Sequence, residues 1–431
     1  MPCNRRKSPG EILRNFTPAW FTVIMGTGVI SALASRFPFG TGSLALQVIS
    51  LIFFFLNLLL FALFCGMTIA RYWLYPEMWH KMLSHPAQSL FVGAFPMGAA
   101  TLINSALTAN QSWGFAGTGF LYTLWAFWWI DMVISFFCAF GMLYAMMTTH
   151  DHSLPKMASV WVLPMVTLIV TSSTGGLIGK ALINHSVYYA LITTGVSFTA
   201  LIMGLSLALM ILTVYLTRLV LHGPPDTSLI LSAFITLGPL GQGGFSFLVN
   251  GENLSVLLPL HLGDRFPFAE LTGQMLFSAC FCIAWILWSM GIAWLMVSII
   301  SVYAVVRHQR IPFTLAYWGL IFPTGVFGLL SVQLGAVLDS PFFHYFGAIW
   351  SGAYHLLLSR SNRPLTDLYW TFTVMVLIIW LTVFLKTIPR VWNTTIFVAP
   401  CLNSSNPPPI SKEGSSTMVS RHSHTLPESP A

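Results

Sequence analysis

Long apolar segments follow one another along most of this chain, and they constrain its fold more than any other feature. A membrane-spanning helix needs about 20 mostly apolar residues, and the sequence offers ten such segments in succession. Only 7% of the residues are charged, whereas a soluble domain carries about 25% and uses them to cover its surface. The expected fold class is an all-α integral membrane protein, with predicted spans 16–35, 44–71, 88–109, 117–148, 158–179, 187–221, 229–250, 272–306, 314–338 and 366–398.

The two ends of the chain differ in composition from this apolar region. Residues 1–14 are polar and basic, and residues 399–431 are rich in Ser, Pro and His. Segments with few large apolar side chains cannot bury enough surface to offset the entropy lost on ordering. We therefore expect a cytosolic N-terminal tail at 1–14, a ten-helix transmembrane transporter domain at 15–398, and a disordered cytosolic C-terminal tail at 399–431.

Basic residues predict how the helices are oriented. With the N-terminus in the cytosol, fourteen of the nineteen Lys and Arg residues fall on the cytosolic side, as expected for ten helices with both ends inside. The five on the opposite side are Arg36, Lys180, Arg265, Arg360 and Arg363. Three sequons, at Asn110, Asn184 and Asn253, fall in predicted outer loops and are glycosylation candidates.

Proline recurs within alternate segments, at Pro96, Pro164, Pro239 and Pro323, and Pro18 stands at the mouth of the first. A proline deep in a helix removes a hydrogen bond and kinks the axis. At membrane depth the freed carbonyl groups are tolerated only where protein or water satisfies them. The repeat predicts five hairpins, with the kinked odd-numbered helices in an inner ring that forms a pore and the even-numbered helices in an outer ring.

Neutral polar residues accompany these prolines, and none of the five predicted odd spans contains Asp or Glu. A path with hydroxyl and amide donors and no fixed negative charge suits an anion, although the same side chains also suit a neutral solute. The candidate residues of the substrate path are Thr27, Pro96, Asn104, Pro164, Ser172, Ser173, Pro239, Gln242, Pro323 and Thr324.

Two charged residues near the predicted path each have two open roles. Asp131 lies inside the fourth span, where an acidic residue either takes part in proton coupling or hydrogen-bonds a neighbouring helix. Lys180 lies just past the fifth span, where it either attracts anions to the outer mouth of the pore or extends to the lipid headgroups.

Motifs of catalysis and cofactor binding do not occur in the sequence. There is no P-loop, so ATP is not expected to drive the protein, and there is no GxSxG or HExxH motif of an enzyme. The cysteines lack the partner ligands of a zinc site, so neither a metal nor a cofactor is predicted. The basic residues are dispersed over loops, and we expect no nucleic-acid partner.

Several short segments are distinctive: Asn15–Pro18 with Met25–Gly28, Phe95–Gly98 running to Asn104, Trp128–Asp131, Ser172–Ser173, the Gly-Pro-Leu-Gly-Gln-Gly run at 238–243, and Tyr317–Pro323. Together they resemble the tellurite-resistance/dicarboxylate transporter family, in particular its fungal sulfite efflux pump branch. The resemblance spans residues 14 to 340 and implies ten helices as five hairpins, an inner five-helix pore and a homotrimer in the lipid bilayer. It also implies a phenylalanine plug on the ninth helix, which matches Phe322, and Phe95 holds the equivalent place on the third.

The function implied by this resemblance is plasma-membrane export of sulfite or bisulfite through a phenylalanine-gated anion pore, driven by the membrane potential. A C4-dicarboxylate (malate) transporter and a chloride or nitrate channel of the same fold are the alternatives. The sequence departs from the family after the ninth helix. Residues 342–350 begin like a tenth helix, but residues 354–367 interrupt it, so the position of the tenth helix is open.

Overall fold

Ten long helices build the part of the molecule that the structure describes. The structure is a computed structural model that describes residues 6–38, 42–150, 152–227, 229–263, 268–352 and 374–403, and within these ranges it contains helices and no strands. The helices that are long and apolar enough to cross a membrane are Pro18–Ser35, Leu44–Leu74, Ser89–Trp113, Gly117–Thr148, Ser159–Leu182, Val187–His222, Ile230–His261, Ala269–Val306, Leu315–Leu338 and Met375–Trp392. The predicted all-α membrane fold is therefore confirmed, and we number these helices first to tenth.

Odd- and even-numbered helices occupy two concentric rings. Over an 18-residue window of each helix, between 72% and 94% of the residues are buried in the odd helices, but only 22% to 39% in the even ones. The odd helices contact one another in the order first, third, fifth, seventh, ninth and back to the first, so their ring is closed. The even helices pack outside it and expose long apolar faces, as lipid contact requires.

Glycine allows the inner helices to approach one another closely. A Cβ atom on Gly241 of the seventh helix would lie 2.7 Å from the backbone N and Cα of Phe327 on the ninth helix. A Cβ atom on Gly325 of the ninth helix would lie 2.6 Å from the side chain of Val29 on the first. Lipid acyl chains are as apolar as the helix surfaces, so the hydrophobic effect does not drive helices together in a membrane. Close packing does, and small residues at the contacts permit it.

The prolines of the repeat lie at a change of helix type, so the prediction of deep kinks is wrong. All five inner elements begin as 3₁₀-helices, at Pro18–Trp20, Ser89–Gly93, Ser159–Val162, Ile230–Thr236 and Leu315–Leu320, and continue as α-helices. Pro96, Pro164, Pro239 and Pro323 each stand second or third in the α-helix that follows. An α-helix leaves the N–H groups of its first turn unpaired, so proline is accommodated there without breaking a helical bond. All four are buried.

The seventh helix is longer than its apolar segment predicts. It continues beyond residue 250 to Leu262 and so includes Glu252. The expectation that the odd helices contain no acidic residue is therefore wrong for this helix. Asn253 explains part of the extension, because its Nδ2 donates a hydrogen bond to the carbonyl oxygen of Gly176 on the fifth helix at 2.6 Å. A polar residue that pairs with a neighbouring helix can remain inside the bundle.

Two helical pieces follow the ninth helix. A helix at Pro341–Gly352 packs against the ninth helix, and a second at Val374–Trp392 supplies the tenth span. Residues 353–373, between the two helices, lie outside the described part of the chain. They include the interrupting segment 354–367 with Arg360 and Arg363. The predicted span 366–398 is therefore shorter at its end, since helical structure stops at Trp392.

The two termini meet on one side of the bundle. The backbone N–H of Lys7 donates to Thr394 Oγ1 at 2.8 Å, and that of Ala399 donates to Asn15 Oδ1 at 3.0 Å. Short helices at Pro9–Arg14, Glu77–Leu83 and Pro400–Asn403 lie in these flanking and connecting segments. Ala399 and Cys401 are buried. The predicted disordered tail at 399–431 is thus wrong for its first residues, and residues 404–431 lie outside the described ranges.

Gly241→Ala should destabilise the fold, because the new methyl group would meet the ninth helix backbone, which cannot rotate away. Overpacking of this kind costs about 1–3 kcal/mol. We expect a lower unfolding temperature for the purified protein in detergent, measured by tryptophan fluorescence. Gly195→Ala on the exposed face of the sixth helix is the matched control, since nothing lies within 4 Å of its Cβ position. Equal unfolding temperatures for the two variants would contradict this packing argument.

Candidate functional site

Phe322 separates two cavities on the axis of the inner ring. The first, of about 40 Å³, is named here the Arg36 cavity and is lined by residues that include Arg36, Asn104, Gln242 and Phe245. The second, of about 20 Å³, is named the Trp318 cavity. Phe322 is only 4% exposed and is the residue that the two linings share. Phe322 therefore stands between the two cavities.

The two cavities differ in polarity. The Arg36 cavity presents two amide side chains, one guanidinium group and several hydroxyl groups, from Ser31, Ser35, Thr101, Ser105 and Thr108. The Trp318 cavity is lined mainly by apolar side chains, among them Met25, Met97, Leu163, Val166 and Ile235. An ion loses its hydration at high cost in the second environment and can recover hydrogen bonds in the first. The side of Phe322 that favours an ion is thus the Arg36 side.

Arg36 supplies the fixed charge of its cavity. It follows the last residue of the first helix, and its guanidinium carbon lies 5.0 Å from the centroid of the Phe245 ring on the seventh helix. Such stacking anchors a guanidinium group on an aromatic face. Burial lowers the pKa of Arg36 to about 10, and the nearby carboxylate of Glu252 acts in the opposite direction. Arg36 therefore remains protonated at neutral pH.

A wider vestibule of about 490 Å³ adjoins the Arg36 cavity, and Arg36 lines both. We name it the Glu252 vestibule, because it also contains Lys180 and Glu252. The Lys180 Nζ and Glu252 Oε1 atoms are 2.6 Å apart, with side chains 53% and 41% exposed. An exposed pair of this kind is weakened by solvent and salt. Of the two roles open for Lys180, its position favours the one at the mouth of the path, where it is paired with Glu252.

The structure brings some of the predicted path residues together. Asn104, Gln242 and Phe322 line the Arg36 cavity, and Phe322 and Pro323 line the Trp318 cavity. The amide Nε2 of Gln242 donates a hydrogen bond to Ser173 Oγ, so Ser173 orients this lining residue from behind. These side chains come from the third, fifth, seventh and ninth helices, which the closed ring holds around one axis.

Other predicted path residues face neighbouring helices. Thr27 accepts a hydrogen bond from the Trp380 Nε1 of the tenth helix at 3.2 Å, and Ser172 Oγ lies 2.8 Å from Ser246 Oγ. Thr324 donates to the carbonyl oxygen of Leu320 at 2.8 Å. These three residues, together with Pro96, Pro164 and Pro239, are absent from the linings of both cavities. Their place on the path therefore stays a prediction.

Phe95 does not share the position of Phe322. Its ring lies 5.2 Å from that of Phe21 and 5.7 Å from that of Phe61 on the second helix, measured between centroids. It lines neither cavity, because the third helix turns this side chain toward the outer ring. Of the two gate candidates, Phe322 is the one that lines both cavities, which weakens the hypothesis of a shared gate.

Asp131 is buried between the fourth and fifth helices. Its Oδ2 accepts a hydrogen bond from Thr171 Oγ1 at 3.0 Å, and Thr171 Oγ1 is also 2.7 Å from Ser135 Oγ. The side chain is 3% exposed and lines neither cavity. Of the two roles considered for it, this geometry favours the structural one, in which Asp131 joins an outer helix to an inner helix.

The three glycosylation candidates differ in their surroundings. Asn184 lies in an exposed turn after the fifth helix. Asn110 lies in the last turn of the third helix, where its Nδ2 donates to the carbonyl oxygen of Phe115 at 2.5 Å. Asn253 is 1% exposed and lies within the seventh helix. The prediction of a loop is wrong for Asn253, and a glycosylating enzyme cannot reach it there.

Sequence reasoning missed Arg36 and Phe245 as parts of the site. The charge count places Arg36 in an outer loop, although the sequence also puts it directly after the first predicted span. Phe245 could not be singled out in the sequence, because the seventh helix contains two other phenylalanines and many other apolar residues. Only the folded arrangement puts its ring beneath the guanidinium group.

A closed ring of helices, an aromatic residue between two cavities and a polar cavity lined by a half-buried arginine are features of a membrane transport protein. Comparison with known proteins narrows this class. The chain belongs to the voltage-dependent anion channel family, which matches residues 15–388. This confirms the resemblance to tellurite-resistance and dicarboxylate transporters that the sequence segments indicated.

Fungal transport proteins are among the relatives of this chain. The sulfite efflux pump of Arthroderma benhamiae is 34% identical over 349 residues, which cover 80% of this chain and 89% of that protein. The sulfite efflux pump of Candida albicans is 28% identical over 75% of this chain and 67% of its own length. The malic acid transport protein of Schizosaccharomyces pombe is 22% identical over 78% and 74%.

Thr171→Val should destabilise the protein, because it leaves the Asp131 carboxyl group buried without its hydroxyl donor. An unpaired buried polar group costs about 1–3 kcal/mol. The unfolding temperature in detergent measures the loss. Thr171→Ser keeps the hydroxyl group and is the matched control, with an expected temperature close to that of the wild type. If Val and Ser lower it equally, the hydrogen bond to Asp131 contributes nothing.

Proposed function

We propose that this protein exports sulfite or bisulfite from the cytosol along the axis of the inner ring. The observation that carries the proposal is the position of Phe322 between an apolar cavity and a cavity that contains Arg36. A path with a cation on one side of a single closure suits an anion better than a neutral solute. The relatives named as sulfite efflux pumps favour sulfite as that anion.

The size and charge of the Arg36 cavity favour a small anion over a dicarboxylate. A dicarboxylate calls for two cationic or bidentate donors, whereas this cavity of about 40 Å³ contains Arg36 as its charged group. Lys180, the next basic residue toward the vestibule, is paired with Glu252. A chloride or nitrate channel of the same fold remains the alternative that this geometry also accommodates.

The membrane potential is sufficient to drive the proposed export. An inside-negative potential is worth about 2.3 kcal/mol per elementary charge per 100 mV, and it expels an anion without a second ion. Neither cavity lining contains Asp or Glu, so no fixed negative charge opposes the anion at the closure. Glu252 stands farther out, in the vestibule.

Phe322 is the proposed gate. Its ring is buried, and the two cavities beside it hold little more than a few water molecules. A rotation of this one side chain would connect them without moving the helices, which pack too closely to separate easily. Sequence resemblance points to the same residue, since a phenylalanine on the ninth helix plugs related proteins.

The proposed setting is the plasma membrane, with both termini in the cytosol. The contact between the N-terminal and C-terminal segments puts them on one side of the bundle, and the excess of basic residues favours the cytosol for that side. A homotrimer is proposed from the family resemblance. Exposed apolar faces of the even helices supply the surface for both lipid and neighbouring copies.

Phe322→Ala should raise sulfite flux through liposomes by about tenfold or more, because a barrier lowered by about 1.4 kcal/mol gives that factor. Purified protein is reconstituted into vesicles that contain sulfite, and a potassium gradient with an ionophore sets the membrane potential. Phe95→Ala is the matched control. It removes the same ring from the equivalent place on the third helix, but not from the path, and its flux should stay within about twofold of wild type.

Two results would overturn the gate. One is a wild-type flux in the Phe322→Ala variant, provided that the variant retains its unfolding temperature and incorporates equally. The other is an equal rise in flux for both alanine variants, which would mean that either ring loosens the whole bundle. Dependence of the flux on the imposed potential, recorded in the same vesicles, tests the driving force separately.

The order of substrates tests the choice of anion. With sulfite, chloride and malate compared at equal concentration and potential, we expect sulfite to pass fastest and malate at least about tenfold more slowly. Malate needs a second cationic donor that the Arg36 cavity lacks. Malate flux equal to that of sulfite would favour the dicarboxylate alternative, and chloride flux above both would favour the channel.

A further inference from the structure

We propose that Arg36, Asn104 and Gln242 form an anion-binding site on the vestibule side of Phe322, which selects anions and fills from that side while Phe322 is closed. This inference deepens the proposed function and rests on it for the direction of transport. The site is distinct from the gate, because it lies in the cavity beyond Phe322 and opens toward the Glu252 vestibule.

Arg36 is held in a position that suits ligand binding. Its guanidinium carbon lies 5.0 Å from the centroid of the Phe245 ring, and both residues line the cavity. This cation–π contact anchors the guanidinium group at the cavity wall. The group carries five N–H donors. Arginine suits small oxyanions because two of these donors can meet two oxygen atoms.

Asn104 contributes an incomplete hydrogen-bonding group to the same cavity. Its side-chain Oδ1 is buried and has no hydrogen-bond partner among the described residues. Buried amide groups are normally paired, and the oxygen and nitrogen of an amide differ by a half turn about the last bond. With that half turn, Asn104 presents its NH₂ group to the cavity as a donor. An anion there would complete its hydrogen bonding.

Gln242 completes the third side of the site. Its Nε2 donates to Ser173 Oγ on the fifth helix, which fixes the side chain at the cavity wall. Arg36, Asn104 and Gln242 come from the end of the first helix, the third helix and the seventh helix, so the ligand would be enclosed by the ring. None of these three positions depends on the side chain of Phe322, and the site therefore exists with the gate closed.

The charge of Arg36 is not cancelled by its acidic neighbour. Glu252 lies near enough to act on Arg36, but its carboxylate is 2.6 Å from Lys180 Nζ. Arg36, Lys180 and Glu252 together carry a net charge of plus one. Because the Arg36 cavity is enclosed by low-dielectric walls, this charge acts on an ion inside it more strongly than an exposed charge would. The surplus positive charge is what makes the site favour an anion.

The first experiment measures selectivity with the gate removed. In a Phe322→Ala background, the reversal potential of purified protein in a planar bilayer under a KCl gradient gives the chloride-to-potassium permeability ratio. Adding Arg36→Gln should lower this ratio by roughly tenfold, since one nearby charge in a medium of intermediate dielectric has at least that effect. Arg36→Lys keeps the charge and should lose less than about threefold. Lys180→Gln frees the Glu252 carboxylate and should lower the ratio, but by less than Arg36→Gln does, because the charges of the exposed pair are screened by solvent.

The second experiment measures binding with the gate closed, in purified protein with Phe322 intact. Sulfite and chloride should each raise the unfolding temperature in a concentration-dependent manner, as ligands of the folded state do. The effect should vanish in Arg36→Gln, persist in Arg36→Lys, and be weakened but not lost in Lys180→Gln. Arg36→Lys also shows whether the position tolerates substitution, in case the glutamine variant unfolds on its own.

The outcomes separate this inference from the proposed gate. If Phe322→Ala conducts no more than wild type, the gate is wrong, while the thermal shift still tests Arg36. If Arg36→Gln keeps both the permeability ratio and the anion-dependent stabilisation, the binding site is wrong, whatever the gate does. A loss of stabilisation in Lys180→Gln equal to that in Arg36→Gln would also overturn it, because the anion would then bind in the outer vestibule.

Discussion

Close contact between five helices around a single axis is the constraint on which the rest of the structure depends. Lipid gives these helices no hydrophobic reason to associate, so their contacts depend on shape and on hydrogen bonds. Gly241 touches the backbone at Phe327, and Gly325 receives the side chain of Val29. Among the residues that the structure describes, two small cavities lie within this packing, and the buried ring of Phe322 stands between them.

The inner and outer rings of helices could be predicted from the sequence, but the details of the individual helices could not. Hydropathy located the spans, and the proline repeat correctly distinguished inner from outer helices. It did not reveal that each proline marks a change from 3₁₀- to α-helix, because both helix types occur within one apolar segment. The end of the seventh helix was also hidden. Asn253 and Glu252 interrupt the apolar pattern, yet the hydrogen bond from Asn253 to Gly176 keeps the helix inside the bundle.

Predicting the path was harder, because inner-ring helices are buried on every face and composition does not tell which face meets the axis. Thr324 donates to a carbonyl oxygen of its own helix, and Thr27 pairs with Trp380. A hydroxyl group in a membrane helix commonly finds such a partner, so its presence does not mark a pore. Phe322 was found by resemblance. Arg36 was missed, because counting charges assigns a residue to a side of the membrane and says nothing of its neighbours.

The order of environments along the axis explains why the charges stand where they do. In the proposed export, an anion that leaves the apolar Trp318 cavity and passes Phe322 would meet Arg36 next, and then the vestibule with Lys180 and Glu252. Were Glu252 to pair with Arg36, the cavity beyond the gate would be neutral and would no longer compensate for the lost hydration. Lys180 pairs with that carboxylate at 2.6 Å instead. The importance of Lys180 thus comes less from attracting anions itself than from leaving the charge of Arg36 uncompensated.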